Sequence, residues 1–166
     1  EFVRRLDDGT VAECFRRHSV QAGQAMFLPS GRAHALGAGN LVFEIQQNSD
    51  TTYRVFDWNR TGLDGKPREL HREPALESID FSDSHSELIP EFRSVVSPGV
   101  IVRPLVRHAL FAVDLLRFEA GASLGPSSRL FPGGGPCVLG SVSGTTRMTV
   151  GAYRRDLGPG EFALVP

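Results

Sequence analysis

Short runs of apolar residues, separated by polar turns, follow one another along most of the chain. In residues 41–47 apolar side chains recur at every second position, which is the period of a strand with one buried face. The opposite face carries Glu44 and Gln46, so we expect it to form the wall of a polar cavity. Comparable runs predict further strands at 11–17, 25–28, 52–57, 99–106, 110–118, 138–142 and 147–150.

Glycine and proline mark the turns between these runs. The sequence contains 18 glycines and 11 prolines, and a turn signal follows most of the apolar runs. Many short strands divided in this way are typical of a β-sandwich or a β-barrel. The pattern changes within residues 72–98, where 74–79 predict a short helix and 80–90 form a hydrophilic connector. The chain is therefore predicted to be all-β with a short helical connector.

An internal repeat indicates two related β-barrels. A glycine precedes a proline by six positions at Gly23 and Pro29, and again at Gly160 and Pro166. In both copies the residues between them are mostly apolar, as expected for one strand of a repeated unit. The alternative is chance recurrence of a glycine turn, a strand and a proline, and the shared register favours the repeat.

Charge and cysteine content narrow the classes of function. The net charge of −1 provides no basic surface for nucleic acid or for an anionic membrane. No apolar run approaches the ~20 residues that a membrane-spanning helix needs. Cys14 and Cys137 lie far apart and outside any CxxC pattern, which favours reduced thiols in a cytoplasmic protein and leaves a single disulfide as the alternative.

A motif spaced by glycine and proline leads to the histidine at position 34. Gly23, Pro29, Gly31 and His34 have the spacing G-x5-P-x-G-x2-H. The glycines and the proline turn the chain into and out of a strand. This spacing resembles the second conserved motif of the cupin superfamily, although Ala38 stands where that motif ends in asparagine. The resemblance implies that the histidine points into the mouth of a barrel, where a metal ion can bind.

Longer segments make the resemblance more specific. They are HALGAG at 34–39, EIQQNSDTTYR at 44–54 and RELH at 68–71. In this order they resemble the type I mannose-6-phosphate isomerases, strongly over about 20–80 and more loosely over 99–166. The resemblance implies a jelly-roll bicupin, with 1–71 as the C-terminal part of the catalytic barrel, 72–98 as the connector and 99–166 as a second, incomplete barrel.

The resemblance assigns roles to five residues. His34 matches the last of the family's four zinc ligands, and Arg54 matches its catalytic arginine. Glu44 and Asp50 match acidic residues that line the pocket, Glu44 as a candidate proton carrier and Asp50 as a substrate-binding residue. Arg60 occupies a position that is often basic in the family and is expected to bind substrate. The implied activity, in carbohydrate metabolism, is the zinc-dependent interconversion of mannose 6-phosphate and fructose 6-phosphate, so the expected partner is a small-molecule sugar phosphate.

These residue types suit an aldose–ketose isomerase, which moves a proton between C2 and C1 of the sugar through an enediol. A divalent metal polarises the sugar oxygens, a guanidinium holds phosphate or enediolate in a fixed geometry, and a nearby carboxylate can carry the proton. The structural alternatives are that Glu44 is a hydrogen-bonded strand residue and that Arg54 pairs with Asp50 or Asp57. The surrounding motif favours a catalytic Arg54 and leaves the role of Glu44 open.

Two features depart from the family pattern. The other three zinc ligands, a glutamine and a histidine two apart and then a glutamate, are expected upstream of Glu1, because the chain contains no Q-x-H. We therefore expect a fragment, truncated at both ends and inactive alone, since a stable zinc site needs about four ligands. In the second barrel Ser127, Arg129 and Gly133 occupy the ligand positions, so that barrel is predicted to be metal-free.

Two other functions stay open from the sequence. One is a non-catalytic, sugar-phosphate-binding regulatory cupin, which would differ from the isomerase in lacking the upstream zinc ligands. The other is a different metal-dependent cupin enzyme such as an iron oxygenase. It is the weaker alternative, because it needs a His-His-carboxylate triad and leaves the residues around Arg54 unexplained. The sequence leaves the oligomeric state open.

Overall fold

The structure is a computed structural model that describes residues 1–49, 51–125 and 135–165. The helices are short: α1 spans Phe2–Asp7, a 3-10 helix spans Val11–Cys14, and α2 spans Arg72–Ser78. Among the described residues, no helix has both the length and the apolar character needed to cross a membrane.

Strands dominate the second half of the chain. They are β1 Ser94–Ser97, β2 Val100–Arg107, β3 Ala112–Phe118, β4 Cys137–Gly140, β5 Thr146–Val150, β6 Tyr153–Leu157 and β7 Phe162–Val165. The first three form a sheet in the order β1–β2–β3, while β4 pairs with β7 and β5 pairs with β6, both antiparallel. The strands predicted at 99–106, 110–118, 138–142 and 147–150 are therefore confirmed within a few residues.

The chain divides into two compact units. Unit 1 comprises Glu1–Phe92 and Arg103–Leu115, and unit 2 comprises Arg93–Val102 and Leu116–Pro166. The division of the sequence into two barrels and a connector, with its boundaries at 71 and 98, stays a prediction.

None of the four strands predicted in the first half, at 11–17, 25–28, 41–47 and 52–57, is formed by the described residues. The segments 25–28, 41–47 and 52–57 are irregular, and the chain at 11–14 is the 3-10 helix. A strand needs backbone hydrogen bonds to a neighbouring strand, and no described residue forms a ladder with these segments. The apolar face of 41–47 accordingly stays exposed, as at Leu41, which is 94% accessible.

The N-terminal part of unit 1 is held by a small apolar cluster. Leu6 of α1 and Val11 of the 3-10 helix are almost fully buried. The Phe2 ring packs edge-on against Phe15 and Phe81, with centroid distances of 6.1 and 5.4 Å. These contacts hold α1 in place, which matters because an isolated helix of this length is not stable in water.

Helix α2 is the first element of the predicted connector. It confirms the helix expected at 74–79, although it begins two residues earlier, at Arg72. Pro74 lies in its first turn, where a missing N–H costs nothing, and the Ser78 hydroxyl donates to the Pro74 carbonyl at 2.7 Å. The chain after α2 then binds the backbone of the segment that leads to His34. The N–H of Asp80 donates to the Gly31 carbonyl at 2.9 Å, so the connector is part of the packed unit.

In unit 2 the strand pair β4–β7 has a close contact at Gly140. This glycine of β4 lies opposite Phe162 of β7. A Cβ at that position would lie 2.7 Å from the Phe162 ring, so glycine is required there. Leu157 of β6 and Ala163 of β7 are buried apolar residues of the same unit.

The sequence repeat has the same turn in both copies. Residues 21–24 and 158–161 each form a turn closed by a backbone hydrogen bond from the fourth N–H to the first carbonyl, at 3.1 and 3.0 Å. Gly23 and Gly160 supply the positive φ of the third position, +84° and +81°. In both turns a side-chain oxygen of the fourth residue accepts from the first N–H, at 2.8 and 2.7 Å. Pro166, the last residue of the second copy, lies outside the described residues.

Candidate functional site

His34 is an exposed side chain whose ring is oriented by the backbone. Its Nδ1 lies 3.0 Å from the Arg32 carbonyl oxygen. Because a carbonyl can only accept, Nδ1 is the donor in this contact, and in the neutral tautomer that it selects the lone pair is on Nε2. A hydrogen bond of this kind is the usual way in which a protein orients a metal-binding histidine.

The backbone that carries His34 is fixed by an ion pair with the connector. Nε and Nη2 of Arg32 each donate to an oxygen of Asp83 at 2.7 Å, and Nη1 donates to the Phe27 carbonyl at 3.1 Å. Both side chains are mostly buried. The hydrogen bond from Arg32 holds the pKa of the Asp83 carboxyl below its usual range, and the same bond raises the pKa of Arg32.

His34 fits the role of one metal ligand but does not form a metal site with its neighbours. In the part of the chain that the structure describes, no group of three or more His, Cys, Asp or Glu side chains is arranged to hold an ion. A neutral imidazole with a free Nε2 is a suitable donor for zinc. The remaining ligands would have to come from elsewhere in the protein.

Glu44 lies in the irregular segment 41–47. Glu44 is exposed and makes no hydrogen bond or ion pair with the other described residues. Asp50 lies outside the described residues, as do Ser127, Arg129 and Gly133, the ligand positions of the predicted metal-free barrel. The roles expected for these residues stay predictions.

Arg54 is half-buried and is held by the segment that follows it in the chain. Its backbone N–H donates to Nδ1 of His71 at 3.1 Å, and its carbonyl accepts from the His71 N–H at 2.8 Å. Its Nη1 donates to the Glu69 carbonyl at 3.1 Å. Asp57, one of the two structural partners considered for Arg54, pairs with other arginines.

The residues between Arg54 and His71 fold back on themselves like a hairpin. An isolated antiparallel bridge joins Thr61 to Pro67, and the Gly62 N–H donates to the Lys66 carbonyl at 2.7 Å. This arrangement brings the arginine of the RELH segment, Arg68, to the carboxylate of Asp57, eleven positions earlier in the chain.

Asp57 is the buried centre of an arginine cluster. Its side chain is 5% exposed, and its Oδ1 lies 2.5 Å from Nη2 of Arg60 and 3.5 Å from Nη1 of Arg68. Its Oδ2 is buried and has no hydrogen-bond partner among the described residues. A buried carboxylate oxygen without a donor costs about 1–3 kcal/mol, so the cluster is not arranged for stability alone.

A strained turn presents Arg60 to this carboxylate. The Arg60 N–H donates to the Asp57 carbonyl at 3.0 Å, and the two central residues, Trp58 and Asn59, have φ of 51° and 53°. These are the positive φ values of a type I′ turn. A bulky residue such as tryptophan rarely adopts this conformation, at a cost of roughly 1–3 kcal/mol. The Trp58 ring lies 5.1 Å from Phe56 and 5.6 Å from the Arg60 guanidinium carbon.

The arginine cluster borders a cavity of about 400 Å³ in unit 1. The cavity is lined by the end of α1 and the chain after it, by residues 56, 57, 59 and 60, and by residues of 67–72. Arg60, Arg68 and Arg72 all contribute to its wall, whereas His34, Glu44 and Arg54 do not. Among the described residues, no hydrogen bond or ion pair joins any two of His34, Glu44 and Arg54. Of the four expected site residues that the structure describes, His34, Glu44, Arg54 and Arg60, only Arg60 lines this cavity.

Sequence reasoning missed Asp57, Arg68 and Trp58 as parts of the site. Asp57 was considered only as a structural partner of Arg54, and Arg68 only as part of the RELH segment. The signal that was present is Asn59, because asparagine tolerates positive φ and favours type I′ turns. Reading a tight turn at 57–60 would have brought Asp57 and Arg60 together.

Comparison with known proteins gives relatives over the whole chain. The chain is 35% identical over 167 residues to the probable mannose-6-phosphate isomerase GmuF of Bacillus subtilis and 32% identical over 169 residues to mannose-6-phosphate isomerase ManA of the same organism. Each match covers 100% of this chain and 50% of the relative. A mannose-6-phosphate isomerase of Streptococcus mutans is 31% identical over 148 residues, which are 89% of this chain and 44% of the relative. No protein-family model matches the chain.

A solved structure shares the fold. It is the crystal structure of the mannose 6-phosphate isomerase from Bacillus subtilis, which matches 72% of this chain and 36% of its own chain with a TM-score of 0.52 and 22% identity. The prediction of an all-β cupin fold with a short helical connector is thus confirmed. The chain spans about half the length of the curated relatives it matches. Over that length it is homologous to proteins named mannose-6-phosphate isomerase.

Proposed function

We propose that the full-length protein containing this chain is a mannose-6-phosphate isomerase, which interconverts mannose 6-phosphate and fructose 6-phosphate. The observation that carries the proposal is the relationship over the whole chain to isomerases at 35% and 32% identity. The reaction is an aldose–ketose isomerisation, so the protein acts on a small-molecule sugar phosphate. It would do so in the cytoplasm, where sugar phosphates are metabolised.

We assign zinc as the metal, with His34 as one ligand, and the support is the donor chemistry of its oriented imidazole. When bound, zinc would polarise the sugar oxygens and stabilise negative charge on them. The other ligands would come from the part of the protein that lies outside this chain, as the relatives' greater length allows.

Arg54 and Glu44 are proposed as the catalytic residues. The Arg54 guanidinium is permanently charged, and Nη1 is its one nitrogen that hydrogen-bonds within the described residues, which leaves donors for an enediolate or a phosphate. The exposed Glu44 carboxylate has no acceptor role within the described residues and would carry the proton between C2 and C1. Asp50 and Arg60 are proposed to bind the substrate, Asp50 through sugar hydroxyls and Arg60 through the phosphate.

The test is an activity assay of the full-length protein, with fructose 6-phosphate formation coupled to a dehydrogenase and zinc content measured on the same sample. We expect turnover of mannose 6-phosphate, about one zinc per chain, and loss of both in His34→Ala. His108→Ala is the matched control, since His108 is also exposed, and it should keep its zinc and its turnover. The 166-residue chain alone is expected to lose zinc on dialysis against a mild chelator and to be inactive.

Two results would contradict the proposal. Tight binding of mannose 6-phosphate without turnover in the zinc-loaded protein would favour a regulatory cupin. Full activity of His34→Ala would show that this histidine is not a ligand and that the residue assignments are misplaced.

A further inference from the structure

The cluster around Asp57 carries more positive charge than the carboxylate neutralises. Arg60 and Arg68 share the one carboxylate of Asp57, at 2.5 and 3.5 Å. The Arg68 guanidinium makes no hydrogen bond with any other described residue, and Nη1 of Arg60 makes none either. Several N–H donors on two adjacent cations are thus left for an anion.

The other charges of the cavity wall are compensated in pairs. Arg72 forms an ion pair with Asp7 at 3.2 Å, and Asp8 forms one with Arg4 at 3.1 Å. The surplus positive charge therefore belongs to the two arginines on Asp57. A phosphate monoester, with its two negative charges and three acceptor oxygens, matches this surplus in sign and in hydrogen-bonding capacity.

The Arg60 side chain is 58% exposed, yet it is held at several points. Its Nη2 donates to the Asp57 carboxylate, its Nε donates to the Asp57 carbonyl at 3.3 Å, and its guanidinium lies over the Trp58 ring. The side chain of an exposed arginine is normally mobile, and holding it in one geometry costs side-chain entropy. Holding the guanidinium in advance reduces the entropy that is lost when a ligand binds to it.

We propose that Asp57 is a positioning residue that holds Arg60 and Arg68 as a paired guanidinium site for the phosphate group of a sugar phosphate, an assignment that rests on the proposed function. Asp57 acts through the two arginines, because its own residue surface is only 5% exposed. Arg68 becomes a second phosphate-binding residue beside Arg60. Trp58 contributes to the site because its ring packs against the Arg60 guanidinium.

The test compares binding by Asp57→Asn with the unaltered full-length protein, with inorganic phosphate, mannose 6-phosphate and mannose as probes in calorimetry. Asparagine keeps the size of the side chain but loses the charge that orients both arginines. We expect affinity for phosphate and for mannose 6-phosphate to fall on the order of tenfold, with mannose binding unchanged. KM should rise by a similar factor, with kcat changed much less, and Asp57→Glu should restore part of the loss.

The control is Asp114→Asn, which breaks a comparable pair, because Asp114 accepts from Arg107 at 2.6 Å and is also mostly buried. It should leave all three affinities unchanged. If Asp57→Asn does not fold, Arg68→Gln decides, since it leaves Asp57 paired with Arg60 and should still weaken phosphate binding.

A folded Asp57→Asn that binds phosphate normally, or shows only a lower melting temperature, would overturn the proposal. So would the absence of any phosphate binding in the unaltered protein. Phosphate binding that depends on Asp57 in a protein without isomerase activity would support the positioning role and reject the proposed function, which separates the two.

Discussion

The backbone of Arg54 and the residue His71 hold each other through a pair of hydrogen bonds. The Arg54 N–H donates to the His71 ring at 3.1 Å, and the His71 N–H donates back to the Arg54 carbonyl at 2.8 Å. The proposed catalytic arginine is thus held by the histidine of the RELH segment. These two hydrogen bonds fix the backbone of Arg54, and they therefore fix the position from which its side chain extends.

Replacing His71 should therefore weaken the protein and its activity together. His71→Ala leaves the Arg54 N–H without an acceptor, which costs about 1–3 kcal/mol. We expect a lower melting temperature and a reduced kcat in the full-length protein. In His71→Asn, whose side-chain oxygen replaces Nδ1 as the acceptor, both should recover in large part. Equal losses in the two variants would show that ring packing, and not the hydrogen bond, is what matters.

Arg54 should matter more to catalysis than to folding. Its side chain makes a single hydrogen bond, to the Glu69 carbonyl, and no ion pair with the other described residues. Arg54→Ala is expected to lower kcat about a hundredfold, equivalent to about 3 kcal/mol of charge stabilisation. Arg54→Lys should recover only part, because lysine keeps the charge and loses the planar fork.

The measurements are turnover, zinc content and melting temperature of the same samples of full-length protein. Zinc content should not change in either Arg54 variant. Near-normal turnover combined with a large drop in melting temperature would mean that Arg54 is structural and that the catalytic residue lies elsewhere.

The ion pair between Arg32 and Asp83 should make stability depend on acid pH. The pKa of Asp83 is lower in the folded chain than its ordinary value, because Arg32 donates to the carboxylate. Its contribution is therefore complete above the unfolded pKa, and it is lost as the pH falls below about 4 and through the folded pKa.

The experiment is thermal unfolding of the unaltered protein and Asp83→Asn between pH 7 and pH 3. The variant should be less stable at pH 7, and the gap should narrow as the pH falls below about 4. Asp64→Asn, which alters an exposed carboxylate that makes no ion pair with the described residues, should follow the unaltered protein throughout. A gap that stays constant with pH would show that Asp83 acts through shape and not through charge.

Local signals predicted the parts of the fold that local chemistry decides. The helix after His71 follows from Pro74 and its neighbours, and the turns at Gly23 and Gly160 follow from the need for positive φ. The prediction of a strand at 41–47 is wrong, because it depends on contacts that are not local. The alternation of apolar and polar residues specifies which face would be buried, but it does not specify a neighbouring strand to pair with. Pairing depends on a partner distant in sequence, which a local pattern does not contain.

The same distinction between local signals and long-range contacts applies to the candidate site. His34, Glu44 and Arg54 were predicted from motif resemblance, which assigns roles but not contacts. The Asp57 cluster arises because the chain doubles back between Arg54 and His71, a long-range event that brings Arg68 to the carboxylate. Because Asp57 is buried, its carboxylate holds the exposed Arg60 side chain in a fixed orientation.

The connector after α2 has a consequence for dissecting the protein. Arg32 is bound to Asp83, Gly31 to Asp80, and Ala25 accepts from the Ile89 N–H at 2.8 Å. Arg103, from farther along the chain, adds to this by donating to the carbonyls of Gly23 and Ile89 at 2.6 and 3.0 Å. Trimming the chain at residue 71 would strip the histidine motif of these anchors, so an expression boundary drawn there would give an insoluble or protease-sensitive product. A boundary beyond Leu115 would keep every one of them.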